Sequence, residues 1–446
     1  MHYLRDFKSF ADASIDLLRP VTLVIGKNGS GKSNAIEGVE LLAQIAHGRP
    51  LYEISDVGRG SGTTFQVRGG LPACVHNQNF PDKALFEGKP FPIDLIASGS
   101  FALGFGNAVI DFDGSKKRVH YEVRIGFYPE AQIQEERLTV GDRVIFETKP
   151  SDSSQILKVQ YDNFARGGKK PCVSLPADRS VLSRYEQFAP SGTKKIVGDA
   201  GRVARAIERY LNAAFVFDPH PKSMREYERI GQYVLNRDGS NLSSVLYGLG
   251  QGDEKQKASQ QHILELIRQL PEEPFDSFDF TLTNRGDVLL GLKRKDGAVI
   301  DARVLSDGTL RVLAILTALE TVQTGSRIVL EEMDNGIHPS RVKVLIDHIW
   351  TVAKQRRLNV LVTTHNPAAL NSLDREQLNS VVVCHYDKEQ QASKLTPLFD
   401  LPHSDVLLEG RQLGDLITRQ VFEEYLMPRF EEDRRTKAKA WLDSLV

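Results

Sequence analysis

Hydrophobic positions in this chain fall into short blocks bounded by glycine or charge. Val21-Thr-Leu-Val-Ile25, Arg327-Ile-Val-Leu330, Asn359-Val-Leu-Val-Thr363 and Val381-Val-Val-Cys384 are four or five residues long, rich in Val and Ile, and do not alternate with polar residues. Such runs predict strands buried on both faces of a parallel sheet. Helix-length segments lie between them. After Gly31, the apolar positions Ile36, Val39, Leu42 and Ile45 recur every third residue, and Gly48 and Pro50 close the pattern. Leu310 to Val322 and Val342 to Val352 read as helices in the same way. Strand and helix in alternation predict an α/β fold.

The middle of the chain is patterned differently. Ile93 to Ala97, Val119 to Ile125 and Arg143 to Glu147 are separated by Gly, Asp and Pro turns, the signature of an antiparallel meander. From about 175 to 270 the pattern turns helical and polar, as in Val203 to Leu211 and Gln260 to Leu270. Pro190 to Lys195 reads as a connection, and no internal repeat or low-complexity tract occurs. The α/β signals therefore sit at the two ends of the chain.

Composition narrows the class. The 446 residues allow two or three domains or one large interrupted one, and 41% hydrophobic with 26% charged residues is ordinary for a globular protein. With 57 Lys+Arg against 58 Asp+Glu, the net charge of −1 gives no global attraction to nucleic acid or an anionic membrane. Cys74, Cys172 and Cys384 are far apart and have no CxxC or CxxH neighbours, which argues for a reduced, cytoplasmic protein without a zinc site. The start of the chain has no secretory pattern, and no run of 18 apolar residues predicts a membrane span.

One motif carries chemistry by itself. Gly26-Lys-Asn28-Gly29-Ser30-Gly31-Lys32-Ser33 fits G-x-x-x-x-G-K-[ST], and it follows a predicted strand and opens a predicted helix. In such a loop the backbone N–H groups cradle phosphates and the helix N-terminus adds partial positive charge. Lys32 would reach the β- and γ-phosphates and Ser33 would hold Mg²⁺, so the loop predicts binding of a nucleotide with Mg²⁺.

Three later segments refine the class. Leu305-Ser306-Asp307-Gly308-Thr309 precedes a predicted helix. Taken alone, it also fits an ordinary N-cap in which Ser306 or Asp307 receives the first amides. The strand from Arg327 delivers Glu331 and Glu332, with Asp334 close behind, at its C-terminal end, where ligands bind in open α/β sheets. One acid can serve the Mg²⁺ shell while its neighbour polarises the attacking water. The strand at 359 to 363 runs into His365.

The order P-loop, LSDGT, strand-Glu-Glu, strand-His resembles the head of ABC-type ATPases, with one signature glycine replaced by Asp307. The resemblance implies an α/β ABC-ATPase head of the P-loop NTPase class, with an antiparallel β subdomain and a helical insertion between the Walker A and signature motifs. It implies that two heads sandwich two nucleotides. Residues Gly26, Asn28, Gly29, Ser30, Gly31, Lys32, Ser33 and Asn34 would hold ATP, and Ser33 and Glu331 would hold Mg²⁺. Glu332 would be the general base, Lys32 and His365 would act on the γ-phosphate, and Ser306 and Gly308 would clamp the nucleotide of the opposite head. The usual first acid of the family is Asp, so Asp334 competes with Glu331 for the metal role, and Gln66 and Gln187 are both candidates for the Q-loop glutamine.

Leu4-Arg-Asp-Phe7-Lys-Ser-Phe10 before the P-loop, and Asn34 just after it, look like the heads of RecF, SMC and related non-transporter ATPases. Glu331-Glu332-Met-Asp-Asn-Gly-Ile-His338-Pro339 is similar to a segment of overcoming-lysogenisation-defect (OLD) nucleases and of AAA-named ATPases in bacterial antiphage systems such as Septu and PARIS. Ser33 and Ser306 are 273 positions apart (306 − 33), far more than in a transporter head, and the intervening stretch lacks the sustained heptads of an SMC arm. The expected division is 1–170, an N-terminal ATPase lobe with the P-loop and meander; 171–274, a helical insertion; and 275–446, a C-terminal lobe with the signature, acids and His365. The 81 residues after His365 (446 − 365) leave no room for a TOPRIM nuclease domain, so a separately encoded effector nuclease is the expected partner of a homo-oligomer of paired heads.

Two other readings stay open. A RecF-like repair ATPase would bind DNA through Ser115-Lys-Lys-Arg118, Arg166 to Lys170 and Arg434 to Lys439. A nucleotide-gated scaffold would hydrolyse little and use Val406 to Leu426 and the tail from Glu431 for protein contacts.

Overall fold

The computed structural model describes residues 1–55, 67–76, 99–127, 130–150, 155–165, 167–190, 195–269, 275–401, 404, 408 and 412–418. At its centre is a six-stranded sheet ordered β10-β15-β16-β3-β17-β18. Its strands are β3 (Val21–Ile25), β10 (Ala214–Phe217), β15 (Arg327–Leu330), β16 (Asn359–Thr363), β17 (Val381–Asp387) and β18 (Ala392–Pro397). The first five run parallel, and β18 pairs antiparallel with β17 at the edge.

The absence of alternation in the sequence has a direct cause, because both faces of this sheet are buried. Val24, Leu361, Val329 and Val216 point into one hydrophobic core. Leu23, Ile25, Val360, Val362, Ile328, Leu330 and Phe217 point into the other. Helix α1 (Lys32–Ala46) fills the first core, burying Ile36, Val39, Leu42 and Ile45 as the spacing predicts. Two later helices, α5 (Asp307–Thr321) and α6 (Pro339–Arg356), fill the second. Helix α5 begins three residues before Leu310 because Ser306 is its N-cap, its hydroxyl accepting from the amide of Thr309 at 3.1 Å.

The antiparallel subdomain is larger than the meander read from the sequence. Eight strands are ordered β2-β1-β4-β5-β6-β7-β8-β9. They comprise β1 (His2–Phe7), β2 (Phe10–Ile15), β4 (Ser100–Phe112), β5 (Ser115–Phe127), β6 (Ala131–Val140), β7 (Arg143–Lys149), β8 (Ile156–Tyr161) and β9 (Cys172–Pro176). The expected strand at Ile93 to Ala97 lies outside the described residues.

The stretch from 171 to 274 departs from a purely helical insertion. It contains α2 (Lys195–Asn212), α3 (Leu242–Gln251) and α4 (Glu254–Gln269), but also β9 of the antiparallel sheet and β10 of the central sheet. Ala214-Phe-Val-Phe217 is four residues long and sits directly behind a helix, so its local pattern is masked. Parallel pairing with Arg327 to Leu330 fixes it as a strand. A small third sheet joins β11 (Glu228–Arg229), β12 (Phe275–Leu282), β13 (Asp287–Arg294) and β14 (Val299–Asp301), and leads into the loop before α5. Among the described residues no helix is long and apolar enough to cross a membrane.

Candidate functional site

Strand order brings the sequence candidates to one edge. The P-loop leaves β3, His365 follows β16, and Glu331 and Glu332 follow β15, so β16 lies between the loop and the acids. All three strands are parallel and end at the same side, the usual ligand edge of an open α/β sheet.

The loop geometry requires its glycines. Gly26, Gly29 and Gly31 have φ of 152°, 81° and 112°. A Cβ on Gly26 would run into the Cys384 carbonyl oxygen, and one on Gly31 would lie 2.8 Å from the hydroxyls of Ser9 and Ser393. The loop is therefore wedged between β17 and the turn linking β1 to β2, with the Cys384 thiol donating to the Ser30 carbonyl at 3.2 Å. Helix α1 starts at Lys32, and the first amides of a helix have no partner within it. Lys32 Nζ donates to the carbonyls of Gly26 at 2.6 Å and Lys27 at 2.9 Å. Burial lowers its pKa, an effect opposed by Cys384 and Glu332 nearby. Ser33, Asn28 and Gly29 are exposed, and Ser30 is buried with no hydrogen-bond partner for its hydroxyl. The Asn34 side chain donates to Ser9 Oγ at 2.9 Å and accepts from Arg68 at 3.3 Å.

The acids differ from one another. Glu331 is half-buried, and burial raises its pKa. Asp218 and Glu332 push the same way, against Arg237 and Arg68. Glu332 is exposed and sits at φ 43°, a left-handed conformation unusual for a residue with a Cβ. Its amide donates to Thr363 Oγ1 at 2.9 Å, tying it to the end of β16. Asp334 is only 5% exposed and is turned inward among Thr364, Asn366 and His365, with its pKa raised by burial. His365 is exposed beside Thr364, and Asn366 caps the short helix Pro367–Asn371.

Several charged residues at this edge have no local sequence motif. Asp218 extends β10 and stands next to the strand that carries Glu331. Glu40 on α1 receives Arg237 Nη1 at 2.6 Å, and Arg237 also lies 4.0 Å from Glu331. Burial pushes the Glu40 carboxyl up to about 7 despite that partner. Buried Glu37 accepts from Lys8 at 2.5 Å and from both the backbone and side chain of Arg68. Arg311 on α5 is held below the usual arginine range by burial, against the pull of Asp218, Glu332, Asp307 and Asp334. The one available hint was Phe-Val-Phe-Asp218, an apolar run ending in an acid like that at Glu331.

The signature segment sits at the start of α5. Ser306 is exposed, and Gly308 is buried so tightly that a Cβ would lie 2.7 Å from the Gly336 carbonyl, in the loop after the acids. Of the two Q-loop candidates, Gln187 is exposed in the short helix Tyr185–Phe188, and Gln66 lies outside the described residues.

These residues suit a nucleotide triphosphate with Mg²⁺. The glycine cradle leaves backbone room at a helix N-terminus, and a lysine and a serine hydroxyl lie at its mouth. Among the described residues no three His, Cys, Asp or Glu side chains converge as a metal cage. Mg²⁺ needs none, since it is commonly held by one or two carboxylates together with substrate phosphates and waters.

Residues 21–371 match the family described as "AAA domain, putative AbiEii toxin, Type IV TA system". The DNA replication and repair protein RecF of Gloeobacter violaceus is 40% identical over 57 residues, 13% of this chain and 15% of that protein. RecF of a Nocardioides species is 41% identical over 46 residues, 10% of this chain and 11% of that protein. The chain thus covers about a seventh or less of these relatives. Among solved structures, an SMC head bound to the C-terminal winged-helix domain of ScpA gives a TM-score of 0.44 at 14% identity, covering 89% of this chain and 95% of that one. The SMC head of Thermotoga maritima gives 0.40 at 13% identity, covering 89% and 97%. The family match takes in the P-loop strand, Leu305 to Thr309, the paired acids and His365, and the chain belongs to this AAA-domain family.

Proposed function

We propose that this protein binds and hydrolyses ATP as the ATPase subunit of an antiphage defence complex, pairing its heads around nucleotide and controlling a separate effector nuclease. The observation that carries the catalytic part is the convergence of Lys32, Glu331, Glu332 and His365 at one edge of the parallel sheet.

In this reading the P-loop amides and Lys32 bind the phosphates, and Ser33 and Glu331 hold Mg²⁺. When bound, Mg²⁺ supplies positive charge that neutralises the phosphate oxygens. The Gly26 and Lys27 carbonyls hold the half-buried Lys32 ammonium over the loop, where it would meet bound phosphates. Glu332, exposed and fixed through Thr363, accepts the proton of the attacking water at a carboxylate oxygen. Asp334 is buried behind the site, which favours Glu331 for the metal role. His365, exposed at this edge, would act on the γ-phosphate, and Ser306 and Gly308 would clamp the nucleotide of a second head. The fold is that of an ABC-ATPase head, and the defence role rests on the similarity of the Glu331 to Pro339 segment to antiphage ATPases.

The test compares wild type with Lys32→Ala and Glu332→Gln. Lys32→Ala should abolish nucleotide binding, and Glu332→Gln should bind ATP without turnover and accumulate as a nucleotide-dependent dimer. Unaltered turnover in Glu332→Gln would remove Glu332 from the role of base. The defence role is tested by infecting cells that carry the gene with its native neighbours, and equal phage yield with and without the operon would refute it.

The local RecF identity favours a second reading, a DNA-repair ATPase. Ser115 to Arg118 are exposed at the start of β5, where phosphate contacts are geometrically open. Duplex binding that falls steeply with salt and stimulates ATP turnover would select this reading.

A further inference from the structure

One guanidinium near the site is not used by the mechanism above. Arg225 ends the short turn Ser223–Arg225 and reaches the loop between β14 and α5. Its Nη1 donates to the carbonyls of Ala302 at 2.9 Å, Arg303 at 2.9 Å and Leu305 at 2.8 Å. Its Nη2 pairs with the Asp307 carboxylate. One side chain therefore grips residues 302–307 from both the backbone and the side-chain direction.

The arrangement has a physical reason. Three carbonyl oxygens within 2.9 Å of one nitrogen point their negative ends at a single place, and they would repel one another without a cation there. Nη1 has two N–H groups for three acceptors, so at least one is shared, and the fixed charge does the rest. Ala302 and Leu305 root the loop in the core, and the Ala302 amide donates to the Leu290 carbonyl at 2.8 Å. Between these roots Val304 is 75% exposed, and the remaining bonds are short-range, from the amides of Arg303, Val304 and Leu305 and the Arg303 guanidinium to Asp301, so Arg225 is what ties the exposed stretch and Asp307 to a separate segment of the chain.

The base from which Arg225 reaches is itself anchored. Met224 is buried against Gly239. The amides of Asp218 and His220 donate to the carbonyls of Arg237 and Asp238, both at 2.9 Å, and Arg237 is tied to Glu40 on α1.

We propose that Arg225 is a positioning residue for the signature segment. It fixes the loop so that exposed Ser306, at the N-cap of α5, faces a second head, while buried Gly308 seats the segment against Gly336. This rests on the paired-head reading above. Among the described residues the hydrogen bonds of the Arg225 side chain go to 302–307 and none to the P-loop, so its removal should separate two quantities that a general structural defect would lower together.

The experiment uses the full chain carrying Glu332→Gln, and adds Arg225→Ala, Arg225→Lys or Asp307→Asn. Binding of a fluorescent ATP analogue to dilute protein is measured beside ATP-dependent dimerisation by sedimentation. Arg225→Ala should keep nucleotide affinity within about twofold and weaken dimerisation at least about tenfold, a difference of roughly 1.4 kcal/mol. Arg225→Lys keeps the charge at the carbonyls and should recover part of the loss. Asp307→Asn removes only the Nη2 arm and should fall between, which keeps the test open if Arg225→Ala folds poorly. Undiminished dimerisation of Arg225→Ala, or a parallel loss of nucleotide affinity in all three variants, would overturn the proposal. If the Glu332→Gln parent itself fails to dimerise with ATP, the paired-head reading falls first, and that result is read on the parent alone.

Discussion

Glu332 stores conformational strain at the point where the proposed mechanism needs a carboxylate held out toward the site. At φ 43° its Cβ crowds the following carbonyl, which costs about 1–2 kcal/mol for an L-residue. Strain of this kind persists when surrounding bonds over-determine it. Here the Glu332 amide is bound by Thr363 Oγ1 at 2.9 Å, and the Glu332 carbonyl accepts from the Asn335 amide at 2.9 Å. Both bonds use the backbone, so they survive any side-chain replacement. Replacing Glu332 by Ala leaves the Cβ and the strain, while replacing it by Gly removes both.

Glycine has its own cost of about 0.5–1 kcal/mol in unfolded-chain entropy, which at an ordinary position makes it the worse choice. At position 332 the relief should exceed that cost, placing Glu332→Gly above Glu332→Ala by up to about 1.5 kcal/mol. The assay is urea unfolding of the two variants side by side, followed by tryptophan fluorescence, since Trp350 is 7% exposed in the second core. Both variants should lack ATP turnover, so the comparison isolates the backbone. If Glu332→Ala is the more stable by the usual 0.5–1 kcal/mol or so, the backbone at 332 is unstrained and the argument fails.

Three further outcomes follow from particular contacts. Gly26→Ala should abolish nucleotide binding and lower thermal stability, because the new methyl meets the Cys384 backbone carbonyl; normal affinity for a fluorescent nucleotide would refute the wedged-loop geometry. Glu136 is fully buried and accepts from Ser180 Oγ, the amides of Val181 and Leu182, and Tyr121 OH at 2.7 to 3.1 Å. Glu136→Gln leaves one acceptor oxygen for these donors and should cost about 2–4 kcal/mol, read as a lower urea midpoint, with no change expected only if the donors can turn elsewhere. Burial, reinforced by the neighbouring His262, takes His348 from about 6.5 down to about 4. The folded state then binds fewer protons than the unfolded one across that window, so stability is lost as pH falls from about 6.5 toward 4, by about 3 kcal/mol in full and roughly 2 kcal/mol at pH 5. His348→Phe should flatten that acid limb, and pH–stability curves that stay parallel would refute the assignment.

What the sequence revealed was whatever chemistry is written locally. The P-loop needs three glycines, a lysine and a serine within eight residues, and buried parallel strands need unbroken apolar runs, so both were legible. The order of those strands was not, because pairing of Arg327 to Leu330 with Ala214 to Phe217 joins segments more than a hundred residues apart. For the same reason β10 was hidden in a region whose other pattern is helical, and Asp218 with it. The arginines were hidden differently. Arg225 binds mainly backbone carbonyls, which every residue has, and Arg237 reaches a glutamate 197 positions away, so neither leaves a spacing to read. Asp334 was legible as an acid near the site, but its burial, which separates it from Glu331, places it against Thr364 and Asn366 in the loop after the neighbouring strand.

The near-zero net charge of the chain also takes on a local meaning at this edge. Glu37, Glu40, Asp218, Glu331, Glu332 and Asp334 gather around the P-loop helix and the end of β15, opposed by Lys8, Lys32, Arg68, Arg237 and Arg311. The balance is uneven from residue to residue. Glu37 has two basic partners in contact, whereas Glu331 has the Arg237 guanidinium at 4.0 Å, feels Arg68 less, and is crowded by Asp218 and Glu332. Burial first, and then Asp218 and Glu332, raise its pKa, so the charged carboxylate is under-compensated there, and a bound divalent cation would compensate it. Arg237 supplies a partial substitute from the middle of the chain. The same electrostatics that make Glu331 a poor free carboxylate thus suit it to the Mg²⁺ role proposed for it, without changing the sum of charges that composition reports.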